Sequence, residues 1–148
     1  QLVTNGILTQ LLHSEATARK FGVKPTGHAG LGAKVSVSPD WLVVSKSESE
    51  MDKDESLSIK NTIKEYILID ELSAIHSGVK ASQGSFSLPF DGWIVNDGKK
   101  TSIEAATVAG DILKVLSSIV KIEDEQIVTH QGISPHVWVE NMSITGEA

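Results

Sequence analysis

The chain has 148 residues, with 13 Lys+Arg against 19 Asp+Glu, a formal net charge of −6 and no cysteine. That length fits a single domain spanning 1–148, with roughly two-thirds of its unfolded surface buriable. The missing thiol excludes a disulfide scaffold, thiol catalysis and cysteine-ligated zinc; the acidic balance argues against a direct nucleic-acid surface; and no run reaches the roughly 18 apolar residues of a membrane span.

Gln1–Gly6 carries neither a basic n-region nor an apolar h-region, so no signal peptide is read and the expected setting is the cytoplasm. Thr4-Asn5-Gly6 is hairpin-turn chemistry, because Asn and Gly tolerate the positive φ that a tight turn requires. Ile7–Leu12 suits a strand leaving that turn, yet only Gln1-Leu2-Val3 precedes it. Either the chain starts inside a sheet whose earlier strands are missing, or its first strand is naturally short. A short helix is predicted over Glu15–Phe21. Ser14 or His13 caps it, Glu15 sits in the first turn, Arg19 and Lys20 in the last, and Gly22 at the stop. Val23–Gly32 holds three glycines and a proline and reads as a shaped loop. Val35, Val37 and Trp41–Val44 give two short β-rich runs broken by Ser38-Pro39-Asp40.

The polar stretch Ser45–Ser56 reads as an exposed connection. Leu57, Ile59, Ile63, Tyr66 and Ile67 fit an amphipathic helix starting near Asp54–Ser56; Tyr66–Ile69 fits equally a strand that follows it. In Ser85–Val95, Phe86, Leu88 and Phe90 point one way, and Pro89, which removes a ladder donor, predicts an edge strand or a bulge. Asn96-Asp97-Gly98 is a second hairpin signal, returning through Lys99–Ile103. A helix is expected over Asp111–Ile119, starting near Gly110 or Asp111, with Ile112, Val115, Leu116 and Ile119 on one face. Val137–Ile144 reads as a closing strand. Together these give a β-rich α+β fold, a mixed or antiparallel sheet with two or three short helices.

Catalytic constellations are sparse. His13-Ser14-Glu15 shares the His-x-Glu start of zinc deaminases but has no Pro-Cys-x-x-Cys partner, and a helix-start His with a dipole-stabilising Glu explains it more simply. Gly27-His28-Ala29-Gly30-Leu31-Gly32 has spaced glycines, but β-type sequence comes next where a phosphate fingerprint needs a helix. His130 and His136 lie six apart without a matching third ligand. Glu123-Asp124-Glu125 reads as a solvated turn rather than an acid–base pair.

The order of motifs carries more. Asn5-Gly6-Ile7-Leu8, Ala18-Arg19-Lys20-Phe21-Gly22, and Pro25-Thr26-Gly27-His28-Ala29-Gly30 resemble the "NGxL", "ARKxG" and "TGNA" segments of the PmbA/TldD family. Phe86–Lys99 is similar to the family's "FS…GxxIENGK" hairpin, Ala106–Gly110 to its "TIAGN" segment, and Glu140–Gly146 to its closing "LxIAG" strand. The resemblance runs from residue 5 to 146 and is closer to the PmbA (TldE) branch, since TldD members carry a longer glycine-rich stretch before the last strand. It covers only the C-terminal part of those longer proteins, which also explains the truncated first hairpin.

The resemblance implies a peptide-processing protein, of a family also called modulators of DNA gyrase. In the active TldD-type subunit a His-Glu-x-x-x-His helix and a cysteine hold zinc, which polarises a carbonyl and activates water. The PmbA-type subunit lacks that helix motif and pairs with the active one to form the substrate chamber. No residue here matches the helix ligands, and His130 is the one weak candidate where the cysteine would fall. The resemblance therefore implies a non-catalytic C-terminal domain that contributes to the chamber and to assembly, in a homodimer or with a TldD-type subunit. The resemblance implies no cofactor in this chain and leaves any zinc to the full-length protein or its partner. The alternative is the tail of a zinc metalloprotease whose ligands lie upstream. A binding module acting on gyrase is a third reading, resting on the family's older name. Candidate peptide-binding residues are Gly27 and His28, where the family has Gly-Asn, and Phe86, Ser87 and Leu88 of a strand expected at a sheet edge, where an extended peptide adds by main-chain hydrogen bonds.

Overall fold

The computed structural model describes residues 1–47 and 63–147. Most of the predicted polar connection Ser45–Ser56 and the start of the predicted helix, with Leu57 and Ile59, lie outside the described residues. The chain divides into two compact units, one of Gln1–Lys53 with Glu123–His136, the other of Asp54–Ile122 with Val137–Ala148.

The first unit opens with β1 (Val3–Thr4) and β2 (Ile7–Leu8), paired antiparallel with Val3 opposite Leu8. Asn5 and Gly6 turn between them at φ 51° and 76°, the left-handed geometry that the Asn-Gly pair predicts. Helix α1 (Glu15–Phe21) has the predicted bounds: the Ser14 hydroxyl accepts from the Thr17 N–H, and Gly22 closes the helix at φ 67°. The Val23 and Gly22 N–H groups return to the Ala18 and Arg19 carbonyls, which satisfies the last orphan acceptors. β3 (Ala29–Gly30) pairs antiparallel with β4 (Ser36–Val37), and β5 (Leu42–Val43) lies parallel to β11 (Gly132–Val139) through Gly132 and Ile133. β10 (Ile119–Val128) is the third strand of that sheet.

The second unit is a five-stranded antiparallel sheet in the order β12 (Ser143–Glu147), β9 (Lys99–Asp111), β8 (Ser85–Asn96) and β6 (Glu65–Leu72), with β7 (Val79–Lys80) also on β8. Tyr66–Ile69 thus belongs to a strand, not a helix. The β8–β9 hairpin turns at Asp97 and Gly98 with φ 45° and 81°. It is far longer than the predicted return to Ile103, pairing from Asn96–Lys99 to Ser85–Asp111. Leu88, Phe90, Ile103, Ala106 and Val108 form the core on one face of the sheet, with Ile69, Phe86, Met142 and Ile144 packed against them. Ile103 shares a face with Ala106 because a bulge intervenes: Phe90 pairs Ala106 while Gly92 pairs Ile103. Ala105 sits inside it at φ 52°; the extra residue resets the alternation of β9.

β8 is not an edge strand. It is paired with β9 on one side and with β6 and β7 on the other. Pro89 is tolerated because it falls between the end of β6 and the start of β7, where its carbonyl accepts from the Ser73 N–H at 2.8 Å. In an antiparallel strand N–H and C=O of one residue point the same way, so the missing donor faces a gap in the ladder.

Two short helices of this unit lie among the described residues. α2 (Ile75–Gly78) bridges β6 and β7. α3 (Ile112–Ser117) starts where Asp111 accepts from the Leu113 and Lys114 N–H groups, and it ends two residues before the predicted limit. Its apolar face is only partly covered: Val115 and Ile119 are half-buried, Ile112 and Leu116 are exposed, and Leu113 is 72% exposed. Glu123-Asp124-Glu125 is strand, within β10, rather than the predicted turn. The predicted closing strand is two strands, β11 and β12, broken at Asn141 with φ 59°.

Candidate functional site

In the first unit, the segment leaving β2 and the loop after α1 face each other across an open groove of about 670 Å³. The two are tied where His13 meets Thr26: the Thr26 N–H donates to the His13 carbonyl at 3.1 Å, and the His13 N–H donates to Thr26 Oγ1 at 2.8 Å. Gly27 turns the chain at φ 80° directly after that tie, a backbone position that favours glycine. The His28 carbonyl then accepts from Ser38 N–H at 3.2 Å. Leu8, Leu11, Val23 and Pro25 give the groove its apolar lining. Gln10, Lys24 and the imidazoles of His13 and His28 give it its polar groups. The two lining hydroxyls are committed within the chain, Thr9 Oγ1 to the Leu2 carbonyl and Thr26 Oγ1 to the His13 carbonyl. His28 Nδ1 is buried without a hydrogen-bond partner among the described residues, a costly state for a polar atom.

Of the predicted site residues, the structure brings His28 to this groove and sets Gly27 in the turn beside it. It places Phe86, Ser87 and Leu88 in the other unit. Leu88 is 5% exposed and belongs to the core, Phe86 packs against that core, and Ser87 is the exposed member of the three. With β8 internal, strand addition along it is set aside. By sequence His13 is only a helix-start residue, and nothing local distinguishes Leu8, Leu11, Val23, Lys24 or Pro25. The tie between residues 13 and 26 that gathers them has no signature in local sequence.

The histidines and acids among the described residues do not gather into a zinc site. Among the described residues no three His, Cys, Asp or Glu side chains converge on one point. His130 is exposed in the turn between β10 and β11, where Thr129 and Gly132 bond to each other, and His136 is half-buried within β11. Glu15 is paired with Arg19 at 2.9 Å. No helix among the described residues is long and apolar enough to cross a membrane.

The family described as PmbA/TldA metallopeptidase C-terminal domain matches residues 1–146. The chain belongs to this PmbA/TldD family. Metalloprotease PmbA of Escherichia coli O157:H7 is similar over 99% of this chain at 29% identity, and the match covers 30% of that protein. The crystal structure of a candidate modulator of a DNA gyrase from Thermotoga maritima superposes with a TM-score of 0.69 at 29% identity, covering 97% of this chain and 32% of that one. A second, from Bacteroides thetaiotaomicron, gives a TM-score of 0.70 at 20% identity, covering 99% and 30%, and speaks for the fold alone. The PmbA/TldD domain described here thus spans about a third of the length of these relatives.

Proposed function

We propose that this PmbA/TldD C-terminal domain is the non-catalytic part of a peptide-processing protein, shaping its substrate chamber and supplying an assembly surface. The observation that carries this is the amount of apolar surface the chain leaves uncovered. Leu31 is 96% exposed, and Ile7, Leu8, Leu11, Phe21 and Val43 are each more than half exposed, in a unit where Ala18 and Pro135 are the buried apolar side chains among the described residues. Uncovered apolar area of that kind marks contact with other protein. The remaining two-thirds of a relative-sized chain, and a second subunit, are what would cover it. That subunit is a second copy or a TldD-type paralogue, and the setting is the cytoplasm.

A full-length protein lacking residues 1–148, compared with the intact one by light scattering and by degradation of an unfolded substrate, tests this reading. Loss of both assembly and degradation supports it; a deletion that leaves both intact contradicts it. The name of the E. coli relative favours a second reading, in which the whole protein is itself a zinc protease with its ligands upstream. Stoichiometric zinc in the full-length protein supports that second reading, and its absence supports a PmbA-type subunit without metal.

A further inference from the structure

We propose that the cavity between α3, the end of β9 and the start of β12 binds a free aliphatic amino acid, with Lys114 and Asp111 as its charged rim. This goes beyond the chamber role and does not rest on it. The cavity holds about 300 Å³, and all of its lining belongs to one compact unit. That volume lies at the lower end of the range for small-molecule pockets. Its walls are tied to one another. Ser143 pairs with Ala109 across β12 and β9, and the Glu140 N–H donates to the Ser118 carbonyl at 3.1 Å. Asn141 turns the chain between these ties at φ 59°. The lining offers polar ends that nothing among the described residues engages: Lys114 Nζ, the Asn141 amide, and the hydroxyls of Ser118 and Ser143. Ser118 is half-buried, so its unpaired hydroxyl is the costliest of the four to leave without a partner. Asp111 lines the same cavity; its Oδ1 caps α3 through the Leu113 and Lys114 N–H groups, and its negative charge stays on the rim. One cation and one anion among hydroxyls and an amide match a zwitterion. The ligand carboxylate meets Lys114, while its ammonium lies toward Asp111 and donates to the hydroxyls. A plain anion would be opposed by Asp111, and a plain cation by Lys114. Ala109, Val115 and Met142 supply the apolar wall against which an aliphatic side chain lies. Leu113 and Leu116 project across the helix from Lys114 and Ser118 at helical spacing, so protein covering those leucines leaves the cavity open.

The test is isothermal titration calorimetry of the full-length protein with four probes. L-Leucine carries every recognised group; 4-methylpentanoate lacks the ammonium, 3-methylbutylamine lacks the carboxylate, and glycine lacks the side chain. L-Leucine should bind saturably, and each of the other three should bind at least about tenfold more weakly. Lys114→Gln should weaken L-leucine about tenfold, because the carboxylate loses its counter-charge, without weakening 3-methylbutylamine. Lys114→Arg should keep most of the affinity, and Ser118→Ala should lower it about threefold. Lys114 is exposed, so its replacement leaves the fold intact, and an unchanged denaturation midpoint checks that. Absence of saturable heat with L-leucine up to about 10 mM, or equal affinity for L-leucine and 4-methylpentanoate, overturns the proposal. So does L-leucine binding that Lys114→Gln leaves unchanged, which would put the amino acid elsewhere in the protein.

Discussion

Thr26 and His13 hold each other by three hydrogen bonds across thirteen residues of sequence: N–H to carbonyl at 3.1 Å, N–H to hydroxyl at 2.8 Å, and hydroxyl to carbonyl at 3.2 Å. One hydroxyl therefore satisfies a main-chain donor at the helix entrance and fixes the mouth of the groove. Thr26→Val keeps the shape and leaves the His13 N–H without its acceptor. It should destabilise the protein by about 1–2 kcal/mol, whereas Thr26→Ser should cost much less. Chemical denaturation of both variants checks this; equal stability of the two would show that the tie is dispensable.

Gly92 is buried in β8 opposite Ile69, and a Cβ there would collide with the Leu68 carbonyl oxygen of β6. That obstacle is backbone held in a paired strand, so it cannot rotate away. Gly92→Ala should cost about 3 kcal/mol, comparable to a severe overpacking change. Gly98→Ala, whose Cβ would meet nothing within 4 Å, should cost less, since only its positive φ is strained. Reversal of that order in denaturation midpoints would contradict the packing described for β6 and β8.

Ala105 carries a positive φ of 52° at the β9 bulge and is exposed. A left-handed non-glycine residue costs about 1–2 kcal/mol, of which glycine's extra unfolded-state entropy gives back about half. Ala105→Gly should raise stability by about 0.5 kcal/mol, and Ala105→Val should lower it by more than that. A destabilised glycine variant would mean that the bulge is not where the strain lies.

Leu113 and Leu116 leave α3 largely exposed, as Leu31 and Phe21 are in the other unit. If the rest of the protein covers these surfaces, the isolated 148-residue chain should bind a hydrophobic dye such as ANS and aggregate, and the full-length protein should bind little dye and form an assembly of defined size. Light scattering and dye fluorescence measured at equal molar concentration make the comparison. A monomeric, dye-silent isolated chain would contradict the assembly role.

Features decided by neighbours in sequence are legible without the fold. Asn5-Gly6 and Asp97-Gly98 announce their turns because few other pairs accept positive φ twice. Helix α1 is bounded by a Ser14 cap and a Gly22 stop that act within one turn. Where a distant partner decides, the sequence misleads. Pro89 suggests an edge or a bulge: the register does shift beside it, between Phe90 and Gly92, but the strand is internal, and Ser73 donates to the Pro89 carbonyl across a break between β6 and β7 that only the assembled sheet reveals. The acids at Glu123–Glu125 suggest a solvated turn, yet a strand with solvent-facing positions accommodates them. Asn141 breaks the last strand with a single left-handed residue. The groove is half legible: Gly27 and His28 stand out by their resemblance to a family loop, while Leu8, Leu11 and Lys24 join them only through the Thr26–His13 tie.

The proposed non-catalytic role places every metal ligand outside this domain. The direct measurement is metal content per chain, by plasma mass spectrometry, of the full-length protein and of a variant in which His13, His28, His76, His130 and His136 are all replaced by Gln. The same metal content is expected in both, whether that is zinc bound upstream or none. A folded variant that has lost zinc present in the parent protein would contradict it.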